Sequence, residues 1–536
     1  MTGMSSSGTV WPICRRGFSL LALLLALSLS APAFAQGEPE AAEAEAQAEE
    51  AEAEENGEAE EGEESPQLAP VRDRRLPDSS VIDHEIAIDG QTLRFTTTAG
   101  AITLTGDEDE PEAEIGFIAY TRRSADAVSR PVTFVVNGGP GAASAYLHLM
   151  VLGPWRLDVG ADNIVPSQPV DLEANPQTWL EFTDLVFIDP VGTGFSRLVE
   201  PNRQLRNQYL SIDGDIGALS DVVYRWLVEN ERVASPKYFA GESYGGFRGP
   251  LLADELQSDY GIGLNGMTLV SPVLDFGWRE QPEYAPLPYV SLLPSYAAAR
   301  MEMNGTISQQ DLQAVEAYAA SDYVVDFLQG LEDEAAVDRI VERVAEITGL
   351  DEQLVERHSG RIDRQTFVRA LLRDEGRIAS PYDTGVTAGD PTPERPFSRA
   401  RDPVLDALTA PLTSAMLAHY QDTLEWLPER RYVLLNQSVS QAWEWDEGRS
   451  QPEAVSALRR VLALDRTLEV LVVHGYTDLV TPYFESELIL RQLGDFDEGE
   501  RVRLETYPGG HMFYTRAEAR RAFRSDARRL YGSGDR

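Results

Sequence analysis

The run Gly241-Glu242-Ser243-Tyr244-Gly245 holds a serine between two glycines. A serine hydroxyl is a weak nucleophile until a neighbouring base removes its proton. Here the pentapeptide follows a short strand-like stretch, 237–240, and precedes a helical stretch, 247–256. Glycines on both sides permit a sharp strand-to-helix turn that lifts the Ser243 hydroxyl off the strand end. The Tyr244 N–H and the N-terminus of the following helix then face negative charge as it develops. That is the chemistry of nucleophilic attack on a carbonyl. It requires an acid and then a histidine further along the chain.

His511 meets the requirement for the base. It lies in Pro508-Gly509-Gly510-His511-Met512, a flexible loop after the strand-like run 502–507. Asp478 is the expected acid, in the loop that follows the apolar run 468–474. The other five histidines read as structural: His84 precedes the core, His148 falls in a helical run, His358 and His419 in cap helices, and His474 is inside a strand. The apolar strand 132–136 ends in Asn137-Gly138-Gly139-Pro140-Gly141. Read on its own this loop is a plain turn or an oxyanion-binding loop. The strand 185–188 ends at Asp189, read as a brace for the loop 190–196.

These residues need a parallel sheet whose strand ends converge. Strand-like runs alternate with amphipathic ones, such as 216–228, through both halves of the chain. Stretches at 82–87, 92–98, 101–105 and 114–121 predict short strands and hairpins ahead of them. Between Pro272 and Leu464 this rhythm stops. Helical spacing at 308–330, 332–348, 351–375 and 403–428, separated by proline-rich stretches at 282–294 and 381–403, predicts a helical cap at 286–455 that divides a core of 80–285 and 456–536. Tyr432, Trp443 and Trp445 read as core packing, and Arg300, Arg373, Arg377 and Arg395 as solvated surface.

The N-terminus reads differently. Arg15-Arg16, an apolar run over 18–30 and Ala33-Phe34-Ala35 have the order of a cleaved signal peptide, 1–35, too short for a comfortable membrane span. Residues 36–70 form an acidic, Ala/Glu-rich tether: fourteen glutamates fall within 36–65 and no lysine or arginine. The whole chain of 536 residues carries a formal net charge of −42. Such a balance argues against nucleic acid as a partner. Cys14 is the single cysteine, which excludes a disulfide framework and a cysteine-rich zinc site. No metal-binding or phosphate-loop motif is present, so no cofactor is expected.

Taken together, NGGPG, PVGTGFS, GESYGG, the late Asp loop and the GGHM loop resemble the serine carboxypeptidases, in a form like their bacterial members. The resemblance covers roughly 80–530. It implies an α/β-hydrolase fold with a large insertion and a serine carboxypeptidase acting on peptides; the segment 1–35 makes that enzyme an exported, periplasmic or extracellular one. It assigns Ser243 as nucleophile, His511 as general base and acid, and Asp478 as its orienting acid. The Gly139 and Tyr244 amides would form the oxyanion hole, and Asn137, Gly138 and Glu242 would bind the substrate's terminal carboxylate. Two positions depart from the family. Val135 replaces its usual Trp, and Val151 replaces a second Glu that shares a proton with the one beside the serine. Two close carboxyls raise one another's pKa, so loss of the pair predicts activity nearer neutral pH. An esterase, aminopeptidase or acyltransferase using the same triad, and a non-catalytic binding protein, are the alternatives.

Overall fold

A computed structural model describes residues 75–532, apart from 89, 124–127, 161–163, 169–170, 396–399, 446–450 and 495–500. The signal-peptide and tether readings lie outside these residues.

Apolar, β-branched runs build the centre of the molecule. Strand β1 (Ser80–Ile88), β2 (Gln91–Thr105) and β3 (Pro111–Arg122) form an antiparallel meander at one edge of a ten-stranded sheet. Six parallel strands follow: β4 (Val132–Val136), β5 (Asp184–Ile188), β6 (Lys237–Glu242), β7 (Gly266–Val270), β8 (Glu469–Gly475) and β9 (Val502–Tyr507). Their spatial order, starting from the meander, is β3-β5-β4-β6-β7-β8-β9. Every residue of β4, β5 and β7 is buried, as strands covered on both faces must be. The reversal of order at β5-β4-β6 makes a crevice at the carboxyl ends of the strands, where ligands bind in open α/β sheets. This is the α/β-hydrolase fold.

The meander corrects one expectation. The stretches 92–98 and 101–105 read as two strands, yet β2 runs through Ala99-Gly100 without a break. Gly100 is needed for close approach instead: a Cβ there would lie 2.1 Å from the Ser79 hydroxyl.

Helix α1 (Ile212–Glu229) is capped by Ser211, whose hydroxyl accepts from the Gly214 N–H at 3.2 Å. It packs beside α2 (Tyr244–Ser258), the helix that follows the serine. Pro250 lies inside α2, where it removes one N–H from the ladder.

The insertion is helical, with two differences from expectation. Helix α3 (Leu287–Met303) occupies part of the stretch read as a proline-rich separator. Pro288 sits in its first turn, where the missing N–H would have no partner anyway. The run 351–375 is not continuous. Ser359 (φ 51°) and Gly360 (φ 72°) turn left-handed and split it into Glu352–Arg357 and α4 (Arg364–Ala370). The insertion builds an apolar cluster from Tyr296, Tyr323, Phe327, Val344 and Phe367, which extends to Tyr483 and Phe484 beyond β8. Residues Pro70–Arg536 thus form one compact unit.

Four of the five histidines read as structural make contacts of their own. Tyr120 Oη lies 2.7 Å from Nε2 of both His148 and His419, in a fully buried cluster. His84 stacks on Phe95 and meets the edge of Trp155. His474 contacts the Thr481 carbonyl at 3.1 Å and the Ser486 hydroxyl at 2.9 Å, and burial pulls its pKa down to about 4.

Candidate active site

Ser243 ends β6 at φ 59°, ψ −120°, a conformation that residues with a side chain rarely adopt. Its neighbours make the turn possible. A Cβ on Gly241 would lie 2.2 Å from the Gly245 carbonyl, and one on Gly245 would lie 2.6 Å from the Val136 carbonyl. The Ser243 N–H donates to the Val270 carbonyl at 2.9 Å, which fixes the elbow to the neighbouring strand.

The acid and base meet at the ends of β8 and β9. His511 Nδ1 lies 2.7 Å from Asp478 Oδ2, with both side chains buried. Asp478 is fully committed. Its Oδ1 accepts from the Val480 and Thr481 N–H groups at 2.8 and 2.9 Å, and the Thr481 hydroxyl donates to Oδ2 at 2.6 Å. Burial pushes the Asp478 carboxyl up, but the His511 charge and these donors outweigh it and hold it below the usual range. Burial pulls His511 down, yet the Asp478 charge and hydrogen bond, helped by Glu242, leave its pKa raised. With Nδ1 turned to Asp478, Nε2 is the nitrogen left to serve the cavity that Ser243 also lines.

That cavity, of about 260 Å³, is bounded by Asn137, Gly138, Gly139, Glu242, Ser243, Tyr244 and His511 among others. The Gly139 and Tyr244 N–H groups donate to no described residue. Tyr244 opens α2, so its N–H is one of the donors a helix leaves unpaired. Gly139 takes φ 106° ahead of a cis Pro140, conformational freedom only glycine supplies there.

Glu242 is engaged on both oxygens: Tyr514 Oη donates to Oε1 at 2.6 Å, and Asn137 Nδ2 donates to Oε2. Asn137 is oriented by its Oδ1, which accepts from the Leu147 N–H at 3.0 Å. Burial pushes the Glu242 carboxyl up to about 7, partly opposed by His511, Tyr514 and Asn137. Val151 is buried in the same apolar cluster as Val135. Desolvation, rather than a second carboxyl, therefore raises Glu242.

Several supporting residues carry no local sequence signal. Arg248, fully buried on α2, forms a fork with Asp215 of α1 (2.6 and 3.1 Å) and donates to the Asn137 carbonyl at 2.5 Å. Asp383, from the insertion, accepts from the Thr477 hydroxyl and the Gly510 N–H, both at 3.0 Å, and so ties together the loops of Asp478 and His511. The Tyr382 carbonyl accepts from the His511 N–H at 2.5 Å, and the Tyr382 ring meets the imidazole edge-on. Asp189 accepts from the Ser144 N–H at 2.8 Å, a brace for the NGGPG loop. Of the three aromatics read as core, Tyr432 and Trp443 are buried, whereas Trp445 is 38% exposed and lies edge-on to Tyr244.

A family model described as serine carboxypeptidase matches residues 89–505. The chain belongs to the serine carboxypeptidase family. Among curated members of this family, Serine carboxypeptidase-like 16 of Arabidopsis thaliana is 28% identical over 222 residues, 39% of this chain and 47% of that protein. The pheromone-processing carboxypeptidase kex1 of Schizosaccharomyces pombe is 33% identical over 136 residues, 25% of this chain and 24% of that protein. The chain spans less than half the length of these curated serine carboxypeptidase relatives. Among solved structures, a proline iminopeptidase from Mycobacterium smegmatis aligns with a TM-score of 0.34 and 14% identity, over 81% of this chain and 98% of that one.

Proposed function

We propose that this chain is a serine carboxypeptidase that releases C-terminal residues from peptides through an acyl-enzyme. The reading rests on one observation above all: His511, held by Asp478 at 2.7 Å, borders the cavity that the strained Ser243 elbow also lines. His511 Nε2 takes the Ser243 proton as Oγ attacks the scissile carbonyl. The unpaired Gly139 and Tyr244 amides receive the oxyanion. His511 then protonates the leaving amine, and water repeats the sequence to free the acyl group. Asp478 keeps the imidazole oriented and stabilises its charged form. Ser243 and His511 share the cavity without a direct hydrogen bond, and substrate draws such contacts together.

The substrate's terminal carboxylate meets Asn137, the Gly138 N–H and Glu242 while that carboxyl is protonated. No cofactor is required by this chemistry. Residues 1–35 support export to the periplasm or beyond, and no helix among the described residues is long and apolar enough to cross a membrane. Mass spectrometry of N-blocked peptides should show stepwise loss of single C-terminal residues. Ser243→Ala should lower turnover by about 10⁶-fold. Unchanged hydrolysis by that variant, or internal cleavage only, would overturn the reading.

A further inference from the structure

The site cavity has a wall that the acyl-transfer chemistry leaves unused. Arg364, the first residue of α4, comes from the insertion and lines the cavity with Tyr146, Arg279 and Tyr382. Its side chain is half-buried; Nε is buried without a partner among the described residues. Its chain neighbour Asp363, and Asp402, which like Arg364 acts on Tyr382, are already occupied. Asp363 accepts from the Thr366 N–H and hydroxyl, and Asp402 accepts from Ser380, Val404 and Leu405. Tyr146, which lines the same cavity, is buried, and its Oη also has no partner. Arg279 Nε is unpartnered too, but Glu485 at 2.7 Å and the Val480 carbonyl at 2.8 Å take its two terminal nitrogens, whereas those of Arg364 are open to the cavity side. Glu280 lies at the exposed rim, and Glu242 is committed to Tyr514 and Asn137.

A buried guanidinium nitrogen and a buried phenol left unpaired beside a cavity are costly unless a ligand supplies acceptors. The planar fork of arginine matches a carboxylate. The geometry points to Arg364 and Tyr146 as a binding site for a carboxylate group of the substrate. Two sources share this chemistry: an acidic side chain beside the scissile bond, or the C-terminal carboxylate itself. The inference builds on the hydrolase reading of the cavity and adds a recognition element from the insertion.

The test compares matched N-blocked substrates, Glu against Gln beside the scissile bond and free acid against C-terminal amide, in wild type, Arg364→Gln, Arg364→Lys and Tyr146→Phe. Arg364→Gln is expected to lower the kcat/KM preference for the carboxylate member of at least one pair by about 10- to 100-fold, chiefly through KM. Arg364→Lys, which keeps the charge without the fork, should recover part of it. A loss confined to Glu over Gln assigns the side chain; a loss confined to acid over amide assigns the terminus. Unchanged preference in both pairs overturns the proposal. Inhibition of neutral ester hydrolysis by glutarate supplies a separate readout: its Ki should rise in Arg364→Gln. If wild type releases no C-terminal residue while glutarate inhibition still depends on Arg364, the exopeptidase reading fails and this one stands. Thermal melts establish that each variant is folded.

Discussion

At the scale of single residues, the site is a set of protonation states imposed by burial. His511 must be neutral to accept the Ser243 proton, and its pKa is raised above the ordinary 6.5. On a neutral ester substrate, kcat/KM should therefore rise with pH through a midpoint above 6.5. Asp478→Asn removes the charge that raises it, so the midpoint should fall and turnover should drop by about 10⁴-fold. A stopped-flow pH profile of both proteins checks the pair. Glu242 gives the opposite limb. Its carboxyl is neutral below about 7 and ionised above, so recognition of free C-terminal acids by Glu242 should weaken as pH rises past 7. Tyr514→Phe removes a donor that favours the ionised form, and should move that loss to higher pH in a KM-against-pH series. The expectation of activity near neutrality thus has a different physical basis from the one read in the sequence. Val151 does remove the carboxyl pair, but desolvation supplies an upward shift of its own.

At the scale of elements, the strands and loops that carry Ser243, Asp478 and His511 were legible because each follows a strand-like run and lies in a glycine-containing turn. Local pattern carries that information. The braces were not legible, because they join residues far apart in the chain. Arg248 and Asp215 are 33 positions apart, and Asp383 is 94 from Thr477 and 127 from Gly510. Nothing in the sequence around them marks a partner. Arg364 was hidden for the same reason, since spacing in a helix does not say what its first residue faces. Two expectations follow from these contacts. Arg248→Met leaves Asp215 buried and unpaired, and should cost about 3–5 kcal/mol in denaturant unfolding. Asp383→Ala frees the two catalytic loops from each other, and should lower kcat by about 10²-fold, the penalty of a misplaced reacting group. Neutral esters should show this loss too, which separates it from a binding defect.

At the scale of the whole molecule, charge and connectivity matter most. A formal net charge of −42 repels anions at long range. Raising ionic strength from 10 to 150 mM shortens the screening length from roughly 30 to 8 Å. The kcat/KM for acidic peptides should then rise severalfold, and that for basic peptides should fall. The contact of Tyr120 with His148 and His419 joins the meander, the core and the insertion through one phenol. A phenol has a single hydrogen to give, yet it faces two ring nitrogens. One ring must receive that hydrogen and the other must donate its own, so the two imidazoles occupy unlike tautomers. His419 Nδ1 has no partner, and a bare lone pair is tolerated there better than a bare N–H. His419 is then the Nε2–H form, and His148 takes the phenolic hydrogen. Nitrogen-15 shifts of the two rings should differ accordingly, although both are neutral and both touch the same oxygen.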